Sequence, residues 1–230
     1  MIIVAKKKTV FIVFLIIVLA AAGIGVGVTA HAVSSPVSRP VIVIDAGHGG
    51  YDNGVVAKNG LTEQDFNLSV TRLLKGELQK AGFKVVLTRK NKDGLYDKNA
   101  ENLKKSDMLK RKEIIQKSNC NMVISIHANK FPDTARRGAQ VFFDGSSSDG
   151  RLLAGSIQET LNVLNGANVG REFAEQAGDY FMLKCAPVPS VIVECGFLSN
   201  LEDAELLCTE AYQKELARVI CAGILEYFSL

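Results

Sequence analysis

The 230-residue sequence predicts a single α/β domain, in which helices flank a mostly parallel, twisted sheet and a membrane helix precedes it. Apolar, β-branched runs at 41–44 and 83–88 enclose an amphipathic helical pattern at 62–81. Such a strand–helix–strand unit implies parallel strands. Further apolar runs at 122–129 and 190–194 extend the sheet.

The N-terminal leader has the pattern of a membrane segment. Three lysines at 6–8 precede an uncharged apolar run of 19 residues at 10–28. A bilayer span needs roughly 20 residues, and the preceding positive charge predicts that the remainder is exported. Ala30-His31-Ala32 fits a cleavage site, so residues 1–32 are predicted to be either a signal anchor or a signal peptide. The long apolar run favours the anchor.

Residues 33–40 are rich in Ser and Pro and are predicted to be a linker, which leaves 41–230 as the folded domain. With the three leader lysines set aside, the other 24 Lys and Arg residues equal the 24 Asp and Glu residues. The formal net charge of +3 therefore comes from the leader, and no nucleic-acid partner is predicted. The domain is expected on the extracytoplasmic side, either anchored to the membrane or secreted.

The first helix is predicted to follow Thr62, whose hydroxyl can cap it together with Asp65, and to end at Gly82. Its apolar face comprises Phe66, Val70, Leu73, Leu74, Leu78 and Ala81. The polar stretch at 91–105 has no apolar periodicity, which predicts an insertion loop or a surface lid.

The next helix is predicted at 108–118, with Leu109, Ile114 and Ile115 inward, and a strand is predicted at 138–143. A third helix carries Leu153, Ile157, Leu161 and Leu164, and an irregular segment at 165–178 and a short strand at 180–183 follow it. The closing helix buries Leu216, Val219, Ile220, Ile224 and Tyr227.

The cysteines show no metal-binding spacing. Cys120, Cys185, Cys195, Cys208 and Cys221 are odd in number, lie in apolar segments and contain no C-x-x-C pair. They are interpreted as small buried hydrophobic residues, and the sequence alone could not pair a disulfide among them.

Two scarce histidines suggest a metal site. Apart from His31 in the leader, the chain has only His48 and His127, and each follows or ends a predicted core strand. Glu194 ends a third strand. Ligands of open α/β sheets bind beyond the carboxyl ends of the strands, so these side chains are expected to converge. Two imidazoles and one carboxylate form a ligand set of catalytic zinc.

The residues alone do not decide which carboxylate completes this set. The candidates are Asp45, Asp52, Glu63 and Glu194. Glu63 could be an ordinary charge in the first turn of a helix. Glu194, in an apolar strand, needs either a charge partner or a function.

Four short motifs, in order, resemble the zinc-dependent N-acetylmuramoyl-L-alanine amidases, often called type 3 amidases, over residues 41–228. The motifs are Asp45-Ala-Gly-His-Gly-Gly50, Glu63 with Asn67, Ser125-Ile-His-Ala-Asn129 and Glu194-Cys-Gly-Phe-Leu-Ser-Asn200.

The resemblance implies that His48, Glu63 and His127 bind Zn²⁺ and that Glu194 is the catalytic glutamate. The implied substrate is peptidoglycan, cleaved at the amide between N-acetylmuramic acid and L-alanine. Asp45 is then expected to support an imidazole. Family members often carry Arg near Lys184, so the lysine leaves a substrate contact there in question.

The leader and the region from Lys105 to Asn129 also resemble the sporulation branch of the family, whose members act in spore-cortex synthesis so that muramic lactam can form. This narrower resemblance implies a deacetylase acting in series and an accessory lipoprotein.

Two other functions are alternatives to the zinc amidase. One is a catalytically silent peptidoglycan-binding or regulatory module, although the intact set of four site residues argues against it. The other is a thiol hydrolase that uses Cys195. Strand alternation should point Cys195 away from Glu194, which makes this second function a poor fit.

Overall fold

The computed structural model describes residues 39–230, so the predicted membrane segment and most of the predicted linker lie outside the described residues. Within 39–230, no helix combines the length and the apolar character that a membrane span requires.

The domain is built on one six-stranded sheet with the order β2-β1-β3-β6-β4-β5. Its strands are β1 (Val41–Ala46), β2 (Lys84–Leu87), β3 (Met122–Asn129), β4 (Gln140–Phe143), β5 (Gln176–Ala177) and β6 (Ser190–Phe197). All neighbouring strands pair in parallel except β4 and β6, which are antiparallel. The predicted α/β class with a mostly parallel sheet is therefore confirmed.

Within residues 39–230, five helices and one 3-10 helix flank the sheet. They are α1 (Glu63–Lys80), α2 (Leu103–Lys117), α3 (Ser148–Val169), α4 (Leu201–Cys208) and α5 (Glu210–Tyr227), with the 3-10 helix at Phe181–Lys184. As predicted, the Thr62 hydroxyl caps α1 by accepting a hydrogen bond from the Asp65 backbone N–H at 3.3 Å.

The two faces of the sheet are covered unequally. On the first face, Ile42 and Ile44 of β1 pack in a large apolar cluster with residues of α1, α3, α4 and α5. On the second face, Val43 joins a smaller cluster to which α2 contributes Ile115 and the 3-10 helix contributes Met182 and Leu183. The alternation along β1 follows from the two-residue period of a strand. Fewer buried apolar residues therefore cover the second face than the first.

Several predicted boundaries were wrong. The strand predicted at 180–183 is the 3-10 helix, and α3 extends to Val169, five residues into the segment predicted to be irregular, where Gly170 ends it with a φ of 74°. Helix α2 begins at Leu103, where the Asn102 side chain accepts a hydrogen bond from the Lys105 N–H at 2.9 Å. Leu109, predicted to face inward, is 51% exposed.

Helices α3 and α5 pack closely at Gly223. A Cβ atom built there would lie 2.5 Å from the Ile157 Cα and 2.8 Å from the Ser156 carbonyl oxygen. Gly223→Ala is therefore expected to lower the free energy of unfolding by about 1–3 kcal/mol, because backbone cannot yield as a side chain can.

The matched control is Gly76→Ala in α1, where the new methyl group would meet no atom within 4 Å. This change should raise the free energy of unfolding by up to about 1 kcal/mol, since alanine favours a helix over glycine. Urea titration of both variants measures the difference. Equal stabilities would contradict the close packing of α3 and α5.

Candidate metal centre

The carboxyl edge of the sheet gathers the predicted site residues. His48 lies two residues beyond β1, while His127 and Glu194 stand opposite each other in the parallel register of β3 and β6. Because β1, β3 and β6 are adjacent strands, their ends meet at one edge. The expected convergence of these three side chains is confirmed.

Glu63 reaches the same edge from α1 on the first face of the sheet. Its Oε1 atom lies 3.1 Å from His48 Nε2 and 2.9 Å from His127 Nδ1. The Val55 N–H donates to its Oε2 atom at 2.9 Å, and the side chain is 3% exposed. Glu63 is therefore fixed between the two imidazoles, in the place where the third ligand of a metal would lie.

The donor atoms of His48, Glu63 and His127 all lie within 4.8 Å of one another. A tetrahedral zinc centre with bonds of about 2.0–2.2 Å separates its ligand atoms by about 3.3–3.6 Å, so the observed spacing needs little adjustment. Two nitrogens and one carboxylate oxygen also match the donors that zinc prefers. The three residues thus fit a metal site.

The electrostatics of this cluster favour ionised Glu63. Burial alone would raise the pKa of Glu63, but hydrogen bonds and charge from both histidines hold it well below its usual range. Burial alone would lower the pKa of His48, whereas Glu63 and Asp52 raise it to about 9. A cation would find a negative, preformed ligand between the two rings.

Asp52, not Asp45, is the carboxylate that supports an imidazole. Its Oδ2 atom lies 2.9 Å from His48 Nδ1. The Asp45 carboxylate instead accepts hydrogen bonds from Thr88 (2.6 Å), Arg111 (2.6 Å) and Ser125 (2.7 Å). The expectation that Asp45 supports a histidine was wrong, because a buried arginine is its partner.

That arginine is one of two that the sequence reasoning missed. Arg111 donates to the carbonyl oxygens of Ala46 at 2.7 Å and His48 at 2.6 Å. Arg89 donates to the carbonyl oxygens of Ala46 at 2.9 Å and Gly47 at 3.0 Å. His48 has a positive φ of 61°, which is costly for a residue with a side chain. The two guanidinium groups hold the backbone in this conformation.

A sequence signal for Arg111 does exist. It lies four residues before Ile115, on the inward face of α2, where a charge needs a buried partner. Burial alone would raise the pKa of Asp45, but Arg111 and two hydroxyl donors hold it at about 2. The pair is therefore ionised, and each member compensates for the burial of the other.

Glu194 does not belong to the group of three candidate ligands. Among the described residues its Oε2 atom is buried with no hydrogen-bond partner. Burial raises the pKa of Glu194 to about 7, and the charge of Glu63 adds to the rise that the two histidines partly offset. A carboxyl group poised near neutrality beside a metal cluster has the properties of a general base.

A cavity of about 350 Å³ opens in front of this cluster. His48, His127 and Glu194 line this cavity, and Tyr51 and Phe181 are among the other lining residues. Its size is within the range of small-ligand sites.

Cys195 and Lys184 do not contribute to this cavity. Cys195 packs in the apolar cluster of the first face, and burial raises the pKa of its thiol well above the ordinary value, which opposes a thiolate nucleophile. All five cysteines are free and only Cys208 is exposed, so the interpretation as buried hydrophobic residues is confirmed for four of them. Lys184 pairs with Asp179 at 2.6 Å on the surface.

Gly47 makes room for the His127 ring. A Cβ atom at Gly47 would overlap the ring atoms Cε1 and Nε2 and lie 2.7 Å from Nδ1. Gly47→Ala is therefore expected to displace His127 and to weaken metal binding roughly 10–100-fold, the range seen when a ligand loses its orientation.

Calorimetric titration with a divalent metal measures this loss. Gly145→Ala is the control, because its new methyl group would meet only the Ala177 Cβ, at an ordinary 3.4 Å. Unchanged metal affinity in Gly47→Ala would show that the ring position is not needed for binding.

Comparisons with known proteins identify the family of this chain. The family described as N-acetylmuramoyl-L-alanine amidase matches residues 42–226. A germination-specific N-acetylmuramoyl-L-alanine amidase from Bacillus subtilis is 35% identical over 199 residues, which cover 85% of this chain and 83% of that protein.

Solved structures give the same result. The CwlD amidase from Clostridioides difficile, determined in complex with the GerS lipoprotein, has a TM-score of 0.77 and 36% identity, and the match covers 83% of this chain and 99% of that one. The catalytic domain of CwlV from Bacillus (Paenibacillus) polymyxa has a TM-score of 0.70 and 26% identity, with coverage of 83% and 98%. The chain therefore belongs to the N-acetylmuramoyl-L-alanine amidase family.

Proposed function

We propose that this amidase is a zinc enzyme in which His48, Glu63 and His127 hold Zn²⁺ and Glu194 acts as the general base. The observation that carries the proposal is the buried Glu194 oxygen, which has no hydrogen-bond partner within residues 39–230 and lies in the cavity that His48 and His127 also line. The bond cleaved is the amide between N-acetylmuramic acid and L-alanine of peptidoglycan.

The roles of the residues follow from their chemistry. When bound, zinc polarises a carbonyl oxygen and makes water more acidic. Glu194 accepts a proton from the attacking water and then delivers that proton to the leaving amine nitrogen of L-alanine. Burial raises the pKa of Glu194 above the ordinary range of a carboxyl group, which favours its uptake of this proton.

The surrounding residues keep the site in place. Asp52 orients the His48 ring from its Nδ1 side, which leaves Nε2 directed at Glu63. Asn67 donates from its side-chain amide to the Gly47 carbonyl oxygen at 3.2 Å and so joins α1 to the His48 loop. These contacts should hold the ligands before any metal arrives.

The proposed function is tested by digesting purified peptidoglycan with the protein and identifying the products by mass. We expect glycan with intact lactyl groups and free peptides that begin with L-alanine. A chelator should abolish release, and zinc should restore it. Cleavage at another bond, or full activity after chelation, would contradict the proposal. Binding without any cleavage would instead support the silent module.

We also propose that the enzyme acts on the spore cortex, outside the cytoplasmic membrane. The germination-specific relative from Bacillus subtilis and the CwlD structure support this role. The segment at 10–28 would export or anchor the domain. Muramic lactam formation would then require a deacetylase acting in series, and cortex from a deletion strain should lack the lactam.

An accessory lipoprotein is proposed as a partner because CwlD was determined in complex with the GerS lipoprotein. Co-purification from sporulating cells would test it. Recovery of the amidase alone under conditions that preserve membrane complexes would count against such a partner.

A further inference from the structure

We propose that Tyr51, Tyr180 and Phe181 form a subsite that binds a pyranose ring of the glycan strand. This inference rests on the proposed function and adds to it the residues that would recognise the sugar side of the cleaved amide. The three side chains line the cavity that contains His48 and Glu194. They are 49%, 41% and 44% exposed, respectively, although each is large and mostly apolar.

The fold places these rings on two sides of the reactive edge. Tyr51 follows the His48 loop after β1, whereas Tyr180 and Phe181 lie in the segment before β6. Strand β3, which carries His127, lies between β1 and β6 in the sheet. A ligand that occupies the cavity between the rings would therefore also contact His48 and His127, which line the same cavity.

The cavity lies on the less covered second face of the sheet. Ile192 of β6 and Met182 of the 3-10 helix belong to the small apolar cluster of this face and also line the cavity. The three aromatic residues line the same cavity, so they are not scattered singly over the surface.

Each ring is held in place by a neighbour. Tyr51 packs edge-on against Tyr96 with centroids 4.9 Å apart, and Tyr180 packs edge-on against Phe142 at 5.6 Å. The Lys112 ammonium lies 5.9 Å from the Phe181 centroid. Supported aromatic side chains lose little conformational entropy when a ligand binds, so they are suited to contact a flat, rigid partner.

The chemistry of the substrate selects the sugar as that partner. On one side of the cleaved amide lies a pyranose ring, with a C–H face that can pack on an aromatic ring. On the other side lies L-alanine, which offers a single methyl group. Lys104 also lines the cavity and is exposed, so its ammonium group can donate hydrogen bonds to hydroxyl and acetamido oxygens.

Two substrates with the same cleaved amide test this inference. One is a disaccharide–tripeptide, and the other is a D-lactoyl–tripeptide that lacks the sugar. The full-length, zinc-loaded protein is expected to prefer the sugar-containing substrate in kcat/KM. Tyr51→Ala and Phe181→Ala should each lower this preference roughly tenfold, mainly through KM for the disaccharide substrate.

Tyr51→Phe keeps the ring and should keep the preference. Phe228→Ala is the matched control, since Phe228 is 43% exposed but packs against Phe83, away from the cavity lining. An unchanged ratio of the two kcat/KM values in both alanine variants would contradict the proposed subsite. So would an equal loss of kcat/KM on both substrates. A wild-type protein that cleaves neither substrate would contradict the proposed function itself, and the subsite with it.

Discussion

Glu194→Gln is expected to lower kcat by roughly 10²–10⁴-fold while zinc stays bound, because an amide cannot accept the proton of the attacking water. The glutamate lies beside the three candidate ligands but is not one of them. Its Oε2 atom is buried without a partner among the described residues, so the neutral amide removes a buried charge and should not impair folding.

Steady-state cleavage of a purified disaccharide–peptide, together with zinc content by elemental analysis, measures both parts of this prediction. Glu205→Gln, on the exposed side of α4, is the matched control and should cleave at the wild-type rate. A Glu194→Gln variant that binds zinc and cleaves at the wild-type rate would show that Glu194 is not the general base.

His127→Ala is expected to weaken zinc binding by more than about 100-fold. This loss is larger than the effect of removing a residue that only orients a ligand. The change removes one nitrogen donor and leaves Glu63 with a single imidazole neighbour. Activity should fall with zinc occupancy, since the two remaining candidate ligands provide too few donors for a stable centre.

Competition with a chromogenic chelator gives the zinc affinity of this variant. His31→Ala is the control, because His31 is the one histidine of the chain in the leader. A His127→Ala protein with full zinc occupancy and wild-type affinity would end the assignment of His127 as a ligand.

The sequence predicted the sheet and part of the site for a physical reason. Short, β-branched runs that end in Gly, His or Glu mark both the core and the functional edge, because side chains at parallel strand ends must converge. The scarcity of histidine then singled out His48 and His127. Glu194 was recognisable as a carboxylate that an apolar strand would not bury without a use.

Glu63 was harder to assign, because a carboxylate in the first turn of a helix is ordinary. The residues around Glu63 depend on how α1 crosses the first face of the sheet. No local sequence pattern determines that crossing. The resemblance to the amidase family selected Glu63, and the structure places it between the two imidazoles.

Several errors concern polar side chains, which leave no apolar period in the sequence. Helix α2 was predicted to begin at Met108 but begins at Leu103, in a charged turn without an apolar period. Helix α4 was not predicted, although Asn200 caps it by accepting a hydrogen bond from the Asp203 N–H at 3.0 Å. The buried roles of Arg89 and Arg111 depend on backbone carbonyl groups, which are the same in every sequence.

The most direct test of the zinc centre is anomalous scattering at the zinc edge from crystals of the protein. We expect a single strong peak within coordination distance of His48, Glu63 and His127, with Glu194 nearby but not bound. A peak at another set of residues, or no peak in crystals of active enzyme, would contradict the proposed zinc centre.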